Sequence, residues 1–465
     1  MLYSSRRQSD KLRADVKATG KGPVFSFAQR RDPCIGIFGK IMSFFEKPKR
    51  GQENISVTVN PNFPGLPSKG PKPDPAAGHR TTVDNLWLAT DNSSYLEINA
   101  ETMEPVGTAR QQMLHPDLKG PLSCAHAEKD PETGDLFNFN IDVGRLATYR
   151  VFRVSAATGK TEILATWSEA GAKAAYIHSF FMTENHVVVC IPTTHYGWGG
   201  AKLMWEKNII SSIEPFDEAK LCKWYIVDRR HGRGVVARFE TPAGFFFHSA
   251  NAFEEPTADG RSVNLFCDYV AFPNFDILHG LYYENLLNRT NFWTSGRVEN
   301  AAPSLTRYRF RIPTWGGEKN AVAKREVEKP ELVFSIPGPH VGELPTINPA
   351  YTCKRHRYIY STSTRGLSTL ADSLVKTDTK TRHAVMWVGP RGHTPGEAIF
   401  VARPGASGEG GLAEDDGVLL SVVLDGTAEK SYLLCLDART MAELGRAECD
   451  FPVGLGFHGH HAKLA

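Results

Sequence analysis

Alternating apolar and polar positions recur along the chain, first at Tyr95-Leu96-Glu97-Ile98-Asn99, again at Tyr149-Arg150-Val151-Phe152-Arg153-Val154, and in strings that begin at Trp224, Tyr308, Leu374 and Tyr432. A period of two belongs to a strand with unlike faces, and each string runs into a polar turn. Successive starts lie 54, 75, 84, 66 and 58 residues apart. This is longer than a minimal propeller blade of about 40 residues and suits blades with long loops on one face. Helical periodicity is sparse. Asp10-Lys11-Leu12-Arg13-Ala14-Asp15-Val16 reads as a short arm in a Lys- and Arg-rich terminus, and Ile37, Ile41, Phe44 and Phe45 share one face of a second helix. Residues 55–59 alternate as a short strand, after which Pro61, Pro64, Pro67, Pro71, Pro73 and Pro75 break any period. The pattern predicts an all-β propeller over 83–465, preceded by an arm and amphipathic helix over 1–45 and a short strand and Pro/Gly-rich loop over 46–82. Two apolar insertions interrupt it, near 193–220 (with Trp198, Met204 and Trp205) and near 269–292 (with Phe275, Leu281 and Tyr282). They read as segments packed on the propeller, or as a dome over an apolar tunnel with an exposed part that touches membranes.

The 465 residues are 41% hydrophobic, enough for a large core. Net charge is +3, from 54 basic and 51 acidic residues, so no field is available to hold a phosphate backbone and nucleic acid is excluded as a partner. The eight cysteines are spread singly with no Cys-x-x-Cys pair, which argues against a zinc ribbon or a disulfide framework and for reduced, intracellular thiols. The chain has no run of about eighteen apolar residues and no apolar signal core after Met1, so a cytoplasmic protein is expected. The sequons at Asn54, Asn92 and Asn288 are then chance matches.

Four histidines sit where apolar stretches end: His126 after Leu122-Ser123-Cys124-Ala125, His178 after Ala175-Tyr176-Ile177, His248 after Phe245-Phe246-Phe247, and His458 after Leu455-Gly456-Phe457. Each is followed by a small residue. A buried imidazole needs a hydrogen-bond partner or a metal. A propeller axis gathers side chains from distant strands, so separations of 52, 70 and 210 residues are no obstacle to convergence. Neutral imidazoles suit iron, zinc or copper, and carboxylates behind them would orient the rings. Other candidates are weaker. Gly405-Ala406-Ser407-Gly408-Glu409-Gly410-Gly411 lacks the Lys of a phosphate loop and runs into Glu414-Asp415-Asp416; His460 and His461 read as an exposed tail; no Gly-x-Ser-x-Gly elbow or His-Glu-x-x-His helix is present.

The four segments resemble those of the carotenoid cleavage oxygenases, a non-haem iron family that includes stilbene cleavers and a retinoid isomerase. The strings that carry the resemblance are His126-Ala127-Glu128-Lys129-Asp130-Pro131-Glu132-Thr133-Gly134-Asp135-Leu136-Phe137, His178-Ser179-Phe180-Phe181-Met182-Thr183-Glu184-Asn185, Phe247-His248-Ser249-Ala250-Asn251, Gly456-Phe457-His458-Gly459, and Glu414-Asp415-Asp416-Gly417-Val418-Leu419-Leu420-Ser421. The match covers nearly the whole chain. It implies seven blades, an axial Fe(2+) held by His126, His178, His248 and His458, and O2-dependent cleavage of a conjugated carbon-carbon double bond in an apolar polyene. It also implies carboxylates behind the imidazoles: Glu343 in Gly342-Glu343-Leu344-Pro345, Glu397 in Gly396-Glu397-Ala398-Ile399, and Asp91 where the family usually has Glu. Being one methylene shorter, Asp91 is expected to make a longer or water-bridged contact. Thr90 matches a position near the iron in some relatives. Tyr3-Ser4-Ser5-Arg6 and Phe27-Ala28-Gln29-Arg30-Arg31-Asp32-Pro33-Cys34 look most like the fungal branch that cleaves torulene. Family members usually begin with a further stretch that helps close the propeller, so a short start and a catalytically dead, lipid-binding propeller form an alternative reading. A stilbene cleaver is another, against which Thr90 stands where those relatives carry a Lys. Oligomeric state is left open.

Overall fold

The computed structural model describes residues 10–19, 25–28, 55–70, 82–314, 329–368, 370–404 and 413–462. Among these, the strands fall into six antiparallel sheets spanning residues 58–110, 128–167, 181–242, 245–337, 343–388 and 393–449. Each follows chain order, strand beside next strand, except that in the sixth His393–Pro395 and Ile399–Ala402 both pair with Gly417–Asp425 as one interrupted leading strand. The alternating strings of the sequence are the third strands of these sheets: Ser94–Ile98, Thr148–Val154, Leu221–Asp228, Ser304–Pro313, Ser373–Asp378 and Lys430–Asp437. Six strings thus mark six blades, and the seven implied by the resemblance are corrected to six among the described residues. A helix forms over Asp10–Thr19, and the strand expected at 55–59 forms as Thr58–Pro61. The helix expected around Ile37 to Phe45 and the glycine-rich stretch Gly405 to Gly411 lie outside the described residues.

Neighbouring blades meet through aromatic side chains. Phe63, Trp87, Tyr95 and Phe152 join the first to the second; Tyr149 stacks on Trp167 at 5.3 Å and Trp167 on Tyr225 at 4.7 Å to join the second to the third. Phe181, Trp224, Phe246 and Phe310 fill the next seam, and Tyr360, Trp387, Phe400 and Leu434 the last. The string Glu414-Asp415 has a structural task at that last seam. The Glu414 carboxylate accepts the Arg357 and Tyr358 amide hydrogens, and Asp415 takes the Lys376 ammonium at 2.6 Å.

In an up-and-down blade the start of the first strand and the connection from second to third strand lie at the same end. Both helical insertions use that connection. Gly197–Gly200, Ala201–Glu206 and Ile209–Ser212 lie between the second and third strands of blade three, and Asp276–Gly280, Tyr283–Leu286, Phe292–Thr294 and Arg297–Asn300 between those of blade four. They therefore rise on one face, where Ile210, Ile213, Phe275, Leu278 and Tyr282 pack in one cluster with Tyr176, Phe245, Phe247 and Phe272. Ser26 and Phe27 dock on the first insertion, Ser26 pairing with Asn208. Whatever stands at the start of the leading strands sits under this roof.

Candidate metal centre

The leading strands carry the predicted side chains at their starts and at breaks in their pairing. His126 precedes Glu128–Lys129 and His178 precedes Phe181–Met182. His248 lies in Phe245–Pro256 inside a register shift, since Phe246 faces Ala271 and Ser249 already faces Tyr269. Glu343 opens Glu343–Thr346 at another shift, beside Leu344 with a φ of 55°. Glu397 falls in the gap that splits the leading strand of blade six. A bulge turns a side chain off the strand's alternation, here toward the axis. The glycines before both glutamates are steric requirements: a Cβ on Gly342 would lie 1.6 Å from the Thr362 carbonyl oxygen, and one on Gly396 2.2 Å from that of Gly456. His458 comes from the tail beyond Glu443–Cys449, which returns along blade six as the Glu397 amide donates to the Gly456 carbonyl at 3.1 Å.

These elements bring one ligand atom of each of His126, His178, His248 and His458 within 4.8 Å of one another. His248 Nε2 and His458 Nε2 are 3.3 Å apart. Behind the rings, His178 Nδ1 lies 2.8 Å from Asp91 Oδ2, His248 Nδ1 2.6 Å from Glu343 Oε2, and His458 Nδ1 3.0 Å from Glu397 Oε1. The shorter Asp91 side chain makes direct contact, contrary to the longer or bridged one expected. It reaches because it rides the second-to-third-strand connection of blade one, on the same face as the roof. A carboxylate on Nδ1 holds the hydrogen there and leaves Nε2 as a lone pair facing inward. Burial and the neighbouring imidazoles hold His126 and His248 well below the ordinary histidine value, so both are neutral donors. Burial pushes Glu343 up to about 8, against the Leu344 amide that favours its charged form, and a cation among the imidazoles would draw it back down and keep it charged.

His126 Nε2 is buried with no hydrogen-bond partner among the described residues. An orphaned imidazole nitrogen among three inward-facing lone pairs is costly unless a cation sits between them, and four neutral nitrogens without thiolate form a set that a borderline divalent metal fits. Thr90, half-buried, adjoins Asp91 on the same connection. His460 and His461 are exposed and outside the cluster, and buried His195 is outside it too. Sequence reasoning missed Tyr176, whose hydroxyl donates to Asp91 Oδ2 at 2.9 Å, and the backbone amides of Ala125 and Gly459, which donate to Asp91 and Glu397. The placement of Tyr176 two residues before His178 was the available signal for the first.

One side of the cluster is apolar. The Phe247 ring stands 5.6 Å from that of His178, and Phe245 and Phe272 follow behind it. Further along the leading strands, away from the roof, a cavity of about 140 Å³ is lined by Glu128, Met182, Ser249, Asn251 and Thr352.

The family described as retinal pigment epithelial membrane protein matches residues 1–463. The chain belongs to this carotenoid oxygenase family. It is 50% identical over 481 residues to a torulene dioxygenase of Fusarium fujikuroi, covering 100% of this chain and 80% of that protein. It is 46% identical over 485 residues to a carotenoid dioxygenase of Neurospora crassa, covering 99% and 78%. The solved apocarotenoid oxygenase of Synechocystis, as a variant, superposes with a TM-score of 0.67 at 19% identity over 97% of this chain and 82% of that one. A cobalt-substituted form of the same protein superposes with a TM-score of 0.64. The propeller is thus a fold that this chain shares with that oxygenase. Among the described residues, no helix of this member is long and apolar enough to cross a membrane.

Proposed function

We propose that the chain is an iron(II)-dependent dioxygenase that cleaves one conjugated carbon-carbon double bond of a torulene-like carotenoid or apocarotenoid, adding both atoms of O2 to give two carbonyl products. The observation that carries this reading is the four-imidazole cluster with its three carboxylates, set under an apolar roof. When bound, iron supplies the redox chemistry that O2 needs to react with an alkene; zinc, which keeps one oxidation state, supplies none. His126, His178, His248 and His458 would hold it. Asp91, Glu343 and Glu397 keep the hydrogen of three rings on Nδ1 and partly offset the cation's charge. Tyr176, Phe245, Phe247 and Phe272 give a polyene an apolar wall beside the centre and exclude water from it, and Thr90 borders it. The named Fusarium and Neurospora relatives support the substrate class.

The roof face also exposes apolar side chains on three successive second-to-third-strand connections: Leu146 of blade two, Trp198 and Phe216 of blade three, and Tyr283 and Leu287 of blade four. Such a rim suits peripheral contact with a lipid surface from which the substrate is drawn.

The test is incubation of iron-loaded protein with torulene under air and under nitrogen, with products identified by mass. Two carbonyl fragments formed only under air are expected; an intact substrate in both would overturn the reading. In the same assay Glu343→Gln, which keeps the shape but loses the charge behind His248, is expected to lower iron affinity or turnover roughly tenfold to hundredfold. Its metal-free melting temperature should stay close to that of the parent, and unchanged affinity and turnover would remove Glu343 from the site.

A further inference from the structure

Tyr176 is 2% exposed, and its ring lies between Phe27 at 5.7 Å and Phe245 at 6.0 Å. Its hydroxyl stands 2.9 Å from Asp91 Oδ2 and 3.2 Å from His178 Nδ1. Asp91 also takes the Ala125 amide on Oδ1 at 3.0 Å and faces His178 Nδ1 at 2.8 Å. The phenolic hydrogen therefore has two acceptors to choose between, with opposite consequences. If it went to His178 Nδ1, that nitrogen would be the acceptor, and the ring's own hydrogen would sit on Nε2, pointing into the cluster. If it goes to Asp91, His178 Nδ1 can donate to the same carboxylate and Nε2 carries a lone pair. A carboxylate is the stronger acceptor and has room for all three donors.

We propose that Tyr176 is a positioning residue that fixes the tautomer and orientation of His178 through Asp91, and that Asp91 and Tyr176 form a matched pair in which the phenol occupies the space a longer carboxylate side chain would need. The proposal rests on the reading of the cluster as a metal site. The pair also joins three parts of the fold: the connection of blade one that carries Asp91, the segment ending in His126, and the segment ending in His178. An aspartate held by one donor would pivot; held by amide, phenol and imidazole together it cannot turn without breaking a contact.

The probe is Co(II), whose visible bands report the geometry of its ligands, titrated into metal-free protein by competition with a chelator. Tyr176→Phe is expected to bind Co(II) roughly tenfold more weakly than the parent. Its bands should be shifted, and its metal-free melting temperature close to that of the parent. Asp91→Glu, crowded by the hydroxyl, should also bind more weakly. The double variant Tyr176→Phe with Asp91→Glu should regain most of the loss, because removal of the hydroxyl makes room for the longer carboxylate. A Tyr176→Phe protein with the parent's affinity and spectrum, or a double variant whose losses simply add, would overturn the proposal. A parent that binds no Co(II) would instead overturn the metal site itself. Histidine ¹⁵N resonances of the metal-free parent give an independent readout that needs no variant: His178 with its hydrogen on Nδ1 is expected, and His178 with its hydrogen on Nε2 would contradict the assignment.

Discussion

A His178→Ala protein is expected to retain no stoichiometric metal and to show no detectable cleavage of a polyene, while its metal-free form stays folded. The ring contributes one of the four converging nitrogens and is held by Asp91 at 2.8 Å behind it, with the edge of Phe247 beside it. Its loss leaves three imidazoles and an Asp91 carboxylate with no ring to orient. Two other histidines serve as controls because they stand apart from the cluster: His195, buried beneath the first insertion, and His461, exposed in the tail. Alanine at either should leave metal content unchanged. Metal analysis of the three proteins beside the parent, with turnover on the same samples, decides the matter; a His178→Ala protein with parental metal content would remove this ring from the centre.

The largest effect on stability is expected away from the centre, at Asp268. This carboxylate is fully buried and receives Arg307 through two hydrogen bonds of 2.6 Å, with His356 Nε2 3.1 Å away. His356 in turn meets Asn251 through Nδ1 at 2.9 Å, and Asn251 donates to the carbonyls of Tyr351 and Lys354. The chain of contacts ties blade four, a few residues beyond His248, to the connection between the first and second strands of blade five. Asp268→Ala would leave the Arg307 guanidinium without its counter-ion, covered by the rings of Phe253 and Phe334. Breaking a buried pair in this way costs about 3–5 kcal/mol, to be measured as the loss in unfolding free energy in urea at neutral pH. The pH dependence provides a check on the cause. Burial pushes the Asp268 carboxyl up, but the Arg307 and His356 contacts outweigh it and hold it below the ordinary range. A depressed carboxyl stabilises the fold fully above its unfolded value of about 3.9 and less as pH falls through the folded value. The gap between parent and variant should therefore be constant near neutrality and narrow only below about pH 4. A gap that narrows well above pH 4 would contradict this cause.

Much of this architecture was legible in the sequence because the third strand of each blade carries an apolar-rich string ahead of a polar turn. Alternation is strong in Thr148–Val154 and Lys430–Asp437, while Leu221–Asp228 and Ser373–Asp378 are buried almost throughout, and Tyr95, Tyr149, Trp224, Tyr308, Leu374 and Tyr432 each announced a blade. Counting those strings gives six, whereas the seventh came from the resemblance alone. Apart from that of blade one, read at 55–59, the leading strands were not legible. Glu128–Lys129 and Phe181–Met182 are two residues long, and Phe245–Pro256 is bulged at the histidine, so no period of two survives in them. The histidines themselves stood out because an imidazole at the end of an apolar run is conspicuous. Glu343 and Glu397 did not stand out by pattern, since a surface glutamate looks the same in sequence; only the string around each drew attention to them. The glycine before each could have hinted at a close backbone approach. The reach of Asp91 depends on which connection carries it, and Tyr176 looked like one more apolar neighbour until its hydroxyl was placed.

The account turns on a single mononuclear iron centre, and metal content measures it most directly. Protein purified from cells grown with ample iron should carry about one iron per chain, with iron lost from the His178→Ala protein and retained in His461→Ala. Zinc in place of iron, or no metal in the folded parent, would contradict it.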